Sequence, residues 1–267
     1  MILGSVQQFI RLVLQATILR PGAVGTVLRG PARGIRYRIF SDYGLAPLLG
    51  RWEPSAQRLM EKHISPGCAA YDIGANHGVH TLLMAKLVGR LGHVYAFEPI
   101  PEIMARLREN VQLNGFSNVT CVELALGDWT GSSWFARGID SSRGRLVGPS
   151  SGELSVGITT LDEYVLGEGH RAPCFVKLDV EGAESRVLSG AKGVLKAHRP
   201  TLLIELHNPT EDVAVGGILR DLGYVAVRIC DGSRVRDLTR GWPDPNGLWG
   251  QVIAFRSGSE NDSSAHS

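Results

Sequence analysis

The sequence contains no apolar run approaching the ~18 residues that a bilayer-spanning helix requires, so the chain is expected to be soluble or at most peripheral to a membrane. It has no surplus of one charge. Its 28 lysines and arginines are interspersed with 26 aspartates and glutamates, which supplies no basic stripe for nucleic acid. Cysteine is scarce: Cys68, Cys121, Cys174 and Cys230 lie far apart, without a C-x-x-C, each in or beside an expected strand. Buried free thiols in a reducing, cytoplasmic compartment are expected rather than a disulfide framework. No G-x-x-x-x-G-K-[ST] phosphate loop occurs, so nothing argues for phosphoryl transfer.

What is present is organised around Tyr71 to Gly78, which reads Y-D-I-G-A-N-H-G. The residues before it are apolar enough for a buried strand, and Val79, Leu82, Leu83 and Leu87 follow at helical spacing. Gly74 and Gly78 permit a sharp turn and close approach of a ligand to the backbone. Glu98 ends the next apolar strand, where a carboxylate accepts hydrogen bonds from both hydroxyls of a ribose. The dinucleotide fingerprint G-x-G-x-x-G needs a glycine where Asn76 stands, the one that admits a pyrophosphate. S-adenosylmethionine has a ribose but no phosphate, and it fits this pocket better.

Short apolar strands are expected near Ala69 to Ile73, His93 to Phe97, Val119 to Leu124, Cys174 to Leu178, Thr201 to Glu205, Tyr224 to Arg228 and Gln251 to Phe255. Helices are expected near Val79 to Leu87, Pro101 to Leu113, Ile158 to Tyr164, Glu184 to Leu195 and Glu211 to Leu222, and over Glu53 to His63 with Pro54 in the first turn. This alternation implies a doubly wound α/β fold, a mostly parallel sheet covered on both faces, with its ligand beyond the carboxyl ends of the strands. Residues 53–256 form the expected domain, preceded over 1–52 by an amphipathic helix, a connector and a short edge strand near Tyr37 to Phe40, and followed over 257–267 by a flexible tail. The N-terminal stripe, Ile2, Leu3, Val6, Phe9, Ile10, Val13 and Leu14, has three candidate partners: the body of the protein, a second copy in a homodimer, or a membrane surface touched through residues 2–20. Gly131 to Gly157, rich in serine and glycine with a hairpin signal at Ser133-Trp134-Phe135, reads as a lid, a substrate-contact insertion or a disordered loop.

A second informative stretch is K-L-D-V-E-G-A-E, Lys177 to Glu184, at the mouth of an expected parallel strand. Charges there carry a desolvation cost, which favours a functional role or an ion pair of Lys177 with Glu181 or Glu184 that caps the next helix. His207, after the strand Thr201 to Ile204, is the best-placed imidazole for taking a hydroxyl proton; a structural histidine is the plainer alternative. Asp179, His207 and Asn208 could instead hold a divalent ion, but no metal spacing is diagnostic and none is expected. His77 and His80 have ordinary capping or packing explanations. Leu124-Ala125-Leu126-Gly127-Asp128 offers an apolar residue for an adenine face and an acid for its exocyclic amine. Trp242, Trp249 and Tyr43 are candidates for stacking on a sugar ring.

Taken in order and spacing, Y-D-I-G-A-N-H-G, F-E-P, A-L-G-D, K-L-D-V-E-G-A-E and R-P-T-L-L-I-E-L-H resemble the FkbM family of S-adenosylmethionine-dependent methyltransferases, over about Glu53 to Phe255. The resemblance implies a class I methyltransferase sheet of seven strands, the last antiparallel, and O-methylation of a hydroxyl on a small molecule, sugar, glycolipid or polyketide-type acceptor. It implies that Asp72, Gly74, Asn76 and Gly78 line the methionine and ribose side, that Glu98 holds the ribose hydroxyls, and that Ala125 and Asp128 border the adenine. Asp179, Glu181 and Glu184 occupy the family's second signature. Asp179 is the first candidate for orienting or deprotonating the hydroxyl and His207 the second, with Glu181 assigned to the cofactor side. The rival readings are a dinucleotide-dependent oxidoreductase, against which Asn76 stands, an amino-methylating enzyme of nucleic acid, whose proline-rich motif is missing at Leu178 to Glu181, and a silent binding module.

Overall fold

The computed structural model describes residues 22–40, 44–136, 145–147 and 154–256. The N-terminal stripe, Tyr43 and the C-terminal tail therefore lie outside the described residues. The chain enters through a two-stranded antiparallel hairpin, β1 (Val24–Thr26) and β2 (Arg36–Arg38), followed by α1 (Pro54–His63). The connector holds β1, and the short strand expected near Tyr37 to Phe40 is β2, but the two form their own sheet instead of an edge of the main one. Val27, Ile35, Tyr37 and Ile39 are buried and bring this segment into the same apolar cluster as Leu82, Leu83 and Met104.

The alternating part follows as β3 (Ala69–Ile73), α2 (Val79–Val88), β4 (His93–Phe97), α3 (Pro101–Leu113) and β5 (Val119–Val122). A smaller sheet is then inserted, made of β6 (Ala125–Leu126), β7 (Gly131–Ala136), β8 (Arg145–Val147) and β9 (Leu154–Thr159). After a π-helical turn (Glu163–Gly167) come β10 (Pro173–Leu178), α4 (Glu184–Ser189), α5 (Lys192–His198), β11 (Thr201–Glu205), α6 (Pro209–Asp221), β12 (Tyr224–Arg228) and β13 (Gln251–Arg256). The main sheet has seven strands in the order β12-β13-β11-β10-β3-β4-β5, and β13 alone runs antiparallel to its neighbours. β3 is buried at all five positions, as a central parallel strand covered on both faces must be.

Four sequence expectations are corrected. Ile158 to Tyr164 is not one helix: Val156 and Ile158 are buried as alternating residues of β9, which pairs with β7, and helix begins only at Leu161, running into the π-helical turn that holds Tyr164. Glu184 to Leu195 is two helices, broken where Gly190 packs so closely that a Cβ would stand 1.9 Å from the carbonyl oxygen of Gly127. The third strand stops at Val122, and Ala125 and Leu126 belong to the smaller sheet. Cys68 and Cys174, at the starts of neighbouring strands, are joined as a disulfide with Cα atoms 6.1 Å apart, whereas Cys121 is half-buried and Cys230 exposed as free thiols. The hairpin at Ser133-Trp134-Phe135 is present as β7 with β8.

Candidate functional site

A cleft opens at the carboxyl ends of β3 and β10, lined by Trp52, Glu53, Gly74 to His77, Val79, His80, Lys177 and Asp179. Its floor is the turn after β3. Gly74 has φ +79°, and a Cβ there would stand 1.8 Å from the carbonyl oxygen of Asp179, so the glycine lets the two strand ends meet. Gly78, with φ +89°, precedes α2, and the turn between them is held by Gly74 N–H and Ala75 N–H donating to the Phe97 carbonyl. Asn76 takes a left-handed φ of 48° and its N–H donates to Glu98 Oε2 at 3.1 Å. Ile100 N–H donates to Oε1 of the same carboxyl at 3.0 Å. Each oxygen of Glu98 keeps a second lone pair. Burial raises its pKa to about 7, against the opposing hydrogen bonds from Ile100 and Asn76.

Lys177 is buried behind the floor, its Nζ 3.0 Å from Asp179 Oδ2 and 3.9 Å from Asp72 Oδ1. Burial works against its charge, but attraction from Asp179, Asp72 and Glu53 overcomes that cost and raises its pKa. The same ammonium, against burial, holds Asp179 below the usual carboxylate range. Asp72 is fully buried and accepts from Thr81 Oγ1 at 2.6 Å. The expected pairing of Lys177 with Glu181 or Glu184 is replaced by this pairing with Asp72 and Asp179, while Glu181 and Glu184 meet His207, which follows β11. His80 has its pKa pushed down to about 4 by burial, with Lys177 adding to the effect, so it is neutral. The cleft therefore offers a cofactor two carboxyl groups, Glu53 and Asp179, and backbone, while its one lysine is already committed to acids. That donor set suits a cationic ligand and not a pyrophosphate.

Asp179 joins the cleft to a second cluster. His207, after β11, has Nε2 at 3.6 Å from Asp179 Oδ1 and 3.4 Å from Glu181 Oε2, with Nδ1 at 2.8 Å from Glu184 Oε1. Burial opposes the imidazole's charge, but the Glu184 hydrogen bond and attraction from Glu184, Glu181 and Asp179 raise its pKa to about 9. At neutral pH His207 thus carries a proton. Glu53 and Glu205 share the amide of Gln251, whose Nε2 donates to them at 2.9 and 2.8 Å, and burial raises the pKa of both acids.

Of the residues expected from sequence, Gly74, Asn76 and Asp179 line the cleft, Asp72 and Glu98 stand behind its floor, Gly78 caps α2, and Glu181 and His207 meet Asp179. Ala125 and Asp128 are not among the lining residues. Ala125 is buried in the smaller sheet, and Asp128 is ion-paired at 3.8 Å with Arg186. His77 is buried, its ring 4.5 Å from that of Phe40 and Nε2 3.1 Å from Arg106, as a packing role requires. Trp52, Glu53 and Gln251 were not anticipated. They reach the site only by tertiary packing from outside the strand ends, and no local pattern marks them.

Residues 72–226 match the methyltransferase FkbM domain family. Among curated relatives, the chain is 27% identical over 157 residues to the hexuronic acid methyltransferase AglP of Haloferax volcanii, covering 59% of this chain and 63% of AglP. It is 44% identical over 54 residues to a protein-L-isoaspartate O-methyltransferase of Ignicoccus hospitalis, covering 20% of this chain and 26% of that protein. The chain thus spans less than two thirds of these relatives' lengths. A crystal structure of a methyltransferase FkbM from Methylobacillus flagellatus superposes with a TM-score of 0.48 at 18% identity, covering 79% of this chain and 52% of that one.

Proposed function

Because the chain belongs to the FkbM family of S-adenosylmethionine-dependent methyltransferases, we propose that it transfers a methyl group to a hydroxyl oxygen of a sugar or sugar-bearing acceptor. The observation that carries the reading is Asp179, which lines the cofactor cleft and also faces the His207 cluster, so that one carboxyl group borders both the donor and the acceptor side. The similarity to a hexuronic acid methyltransferase supports a sugar as acceptor.

The residues fit this cofactor. Glu98 holds free lone pairs for two ribose hydroxyls, and Glu53 and Asp179 supply negative charge for a cationic methionine end, where a pyrophosphate would be repelled. S-adenosylmethionine supplies a methyl group already electrophilic on sulfonium. The protein's task is then chiefly to position an oxygen, which contributes several kcal/mol, on the order of 7–11 at best, to barrier lowering. Asp179, kept ionised by Lys177, accepts the acceptor's O–H and orients it. It is a weak base for the same reason. His207 becomes able to take the proton as pH approaches about 9.

Calorimetric titration with S-adenosylmethionine, comparing the parent chain with Glu98→Ala, tests the cofactor assignment. Binding by the parent and its loss in the variant is expected. Absence of binding by the folded parent would end the proposal. Methyl transfer to hexuronic acid-containing glycans then tests the acceptor class.

A further inference from the structure

We propose that Asp179, Glu181 and His207 form a binding site for a divalent first-row metal ion, with Glu184 fixing the histidine from behind. One ligand atom from each of the three lies within 4.8 Å of the others. The separations are specific. His207 Nε2 stands 3.6 Å from Asp179 Oδ1 and 3.4 Å from Glu181 Oε2, longer than the ~2.9 Å of an N–H···O hydrogen bond. Two ligands bonded to one ion at ~2.1 Å lie ~3.0 Å apart at a right angle and ~3.4 Å apart at the tetrahedral angle. The two separations from His207 Nε2 are therefore close to the span between ligands of one ion.

The surroundings match the same purpose. Asp179 divides its oxygens, giving Oδ2 to Lys177 at 3.0 Å and leaving Oδ1 toward His207. Glu184 is fully buried, and its Oε1 accepts from His207 Nδ1 at 2.8 Å, so Nδ1 carries a proton and Nε2 is the nitrogen turned toward the two acids. Metal-bound histidines are held by a carboxylate in this way. The other oxygen, Glu184 Oε2, is buried without a hydrogen-bond partner, an uncompensated acceptor beside the cluster that a cation would relieve. Asn208, the third ligand one would choose from sequence, is spent elsewhere: its Oδ1 accepts from Thr210 and Glu211 N–H and caps α6. Glu181 takes its place. One imidazole with two carboxylates and open positions suits Mn2+, Fe2+, Co2+ or Zn2+. The open positions would seat two oxygens of the acceptor, such as a vicinal diol or a hydroxy acid; this last point rests on the proposed methyl transfer to a sugar.

The test is titration of the full, chelator-treated chain with Mn2+, followed by loss of the free-ion electron paramagnetic resonance signal, and with Co2+, followed by its visible absorption. Parent chain is expected to bind a single Mn2+ at sub-millimolar concentration. Glu184→Gln should weaken it by about tenfold, as changes behind a metal ligand do. Glu181→Gln, on a half-exposed turn and the substitution least able to disturb folding, should weaken it further, with circular dichroism unchanged. Binding of S-adenosylmethionine to the same samples is measured separately, so a failed cofactor assignment is recognised apart from a failed metal site. No Mn2+ binding by the folded parent, or equal affinity in parent and Glu181→Gln, overturns the site and leaves His207 as an imidazolium paired with three acids.

Discussion

Gly74→Ala is the perturbation that most directly joins the fold to the site. At φ +79° an L residue costs ~1–2 kcal/mol, and a Cβ 1.8 Å from the Asp179 carbonyl oxygen adds the ~1–3 kcal/mol of overpacking, because the obstacle is backbone and cannot swing aside. The total, roughly 2–5 kcal/mol, is a large share of the ~5–15 kcal/mol by which a domain is stable. Gly169→Ala supplies the internal control. Gly169 has φ +77° with no atom within 4 Å of its Cβ position, so it should lose only the conformational cost. Urea denaturation of both variants, at unchanged slope, isolates the contact as their difference, about 1–3 kcal/mol. Because the Asp179 N–H donates to the Ile73 carbonyl at 3.0 Å, displacing Asp179 also unsettles its pairing with Lys177. Cofactor affinity should therefore fall in folded Gly74→Ala and not in Gly169→Ala. Equal destabilisation by the two substitutions would refute the argument that the strand ends, rather than the turn alone, demand a glycine.

Lys177→Met should cost about 3–5 kcal/mol, because it strands Asp72 and Asp179 without their buried cation; chemical denaturation measures it. Since Lys177 depresses the Asp179 pKa, the stability held by this pair is present above the ordinary aspartate range and lost as pH falls through the lowered value, so the gap between parent and variant should close in acid. The His207 pKa is raised instead, which makes its contribution complete below about 6.5 and lost as pH rises through about 9, with a ceiling of ~3 kcal/mol at 1.36 kcal/mol per pH unit. Melting of parent and His207→Gln in chelator should therefore differ most near pH ~6 and converge by pH ~10. Asn208→Ala removes the α6 cap and should lose ~1 kcal/mol by the same denaturation assay, a loss absent from Asn208→Asp, which keeps an accepting oxygen at the cap.

The parts of this molecule that were legible in the sequence are those whose partners are their own chain neighbours or any apolar surface. The runs at Ala69–Ile73 and Thr201–Glu205 are strands at the stated residues, because a strand buried on both faces must be mostly apolar whatever it packs on, and Tyr224–Arg228, at the sheet edge, is a strand with alternating burial. Pro54 and Pro101 open helices because a missing N–H costs nothing there. Asp179 and His207 stand out in the sequence as candidate site residues for a related reason: an acid or imidazole just past an apolar parallel strand has no local use. Pairings across the sheet were not legible. Lys177 could have met any of several acids, and the one it meets across β3, Asp72, is 105 residues away in the chain (177 − 72). Glu53 was invisible beside the proline that marks the helix start, since nothing local says that its side chain turns toward His80 and Gln251. Leu161 and Tyr164 are helical as their spacing says, but Ile158, which shares that spacing, lost to strand pairing with β7, a contact supplied from outside the window. The same rule explains why the sequence points Glu184 to Lys177 rather than to His207. Its carboxyl group gains that partner only when β11 delivers His207 to within 2.8 Å, and that delivery depends on the order of strands in the sheet, which no window of sequence contains.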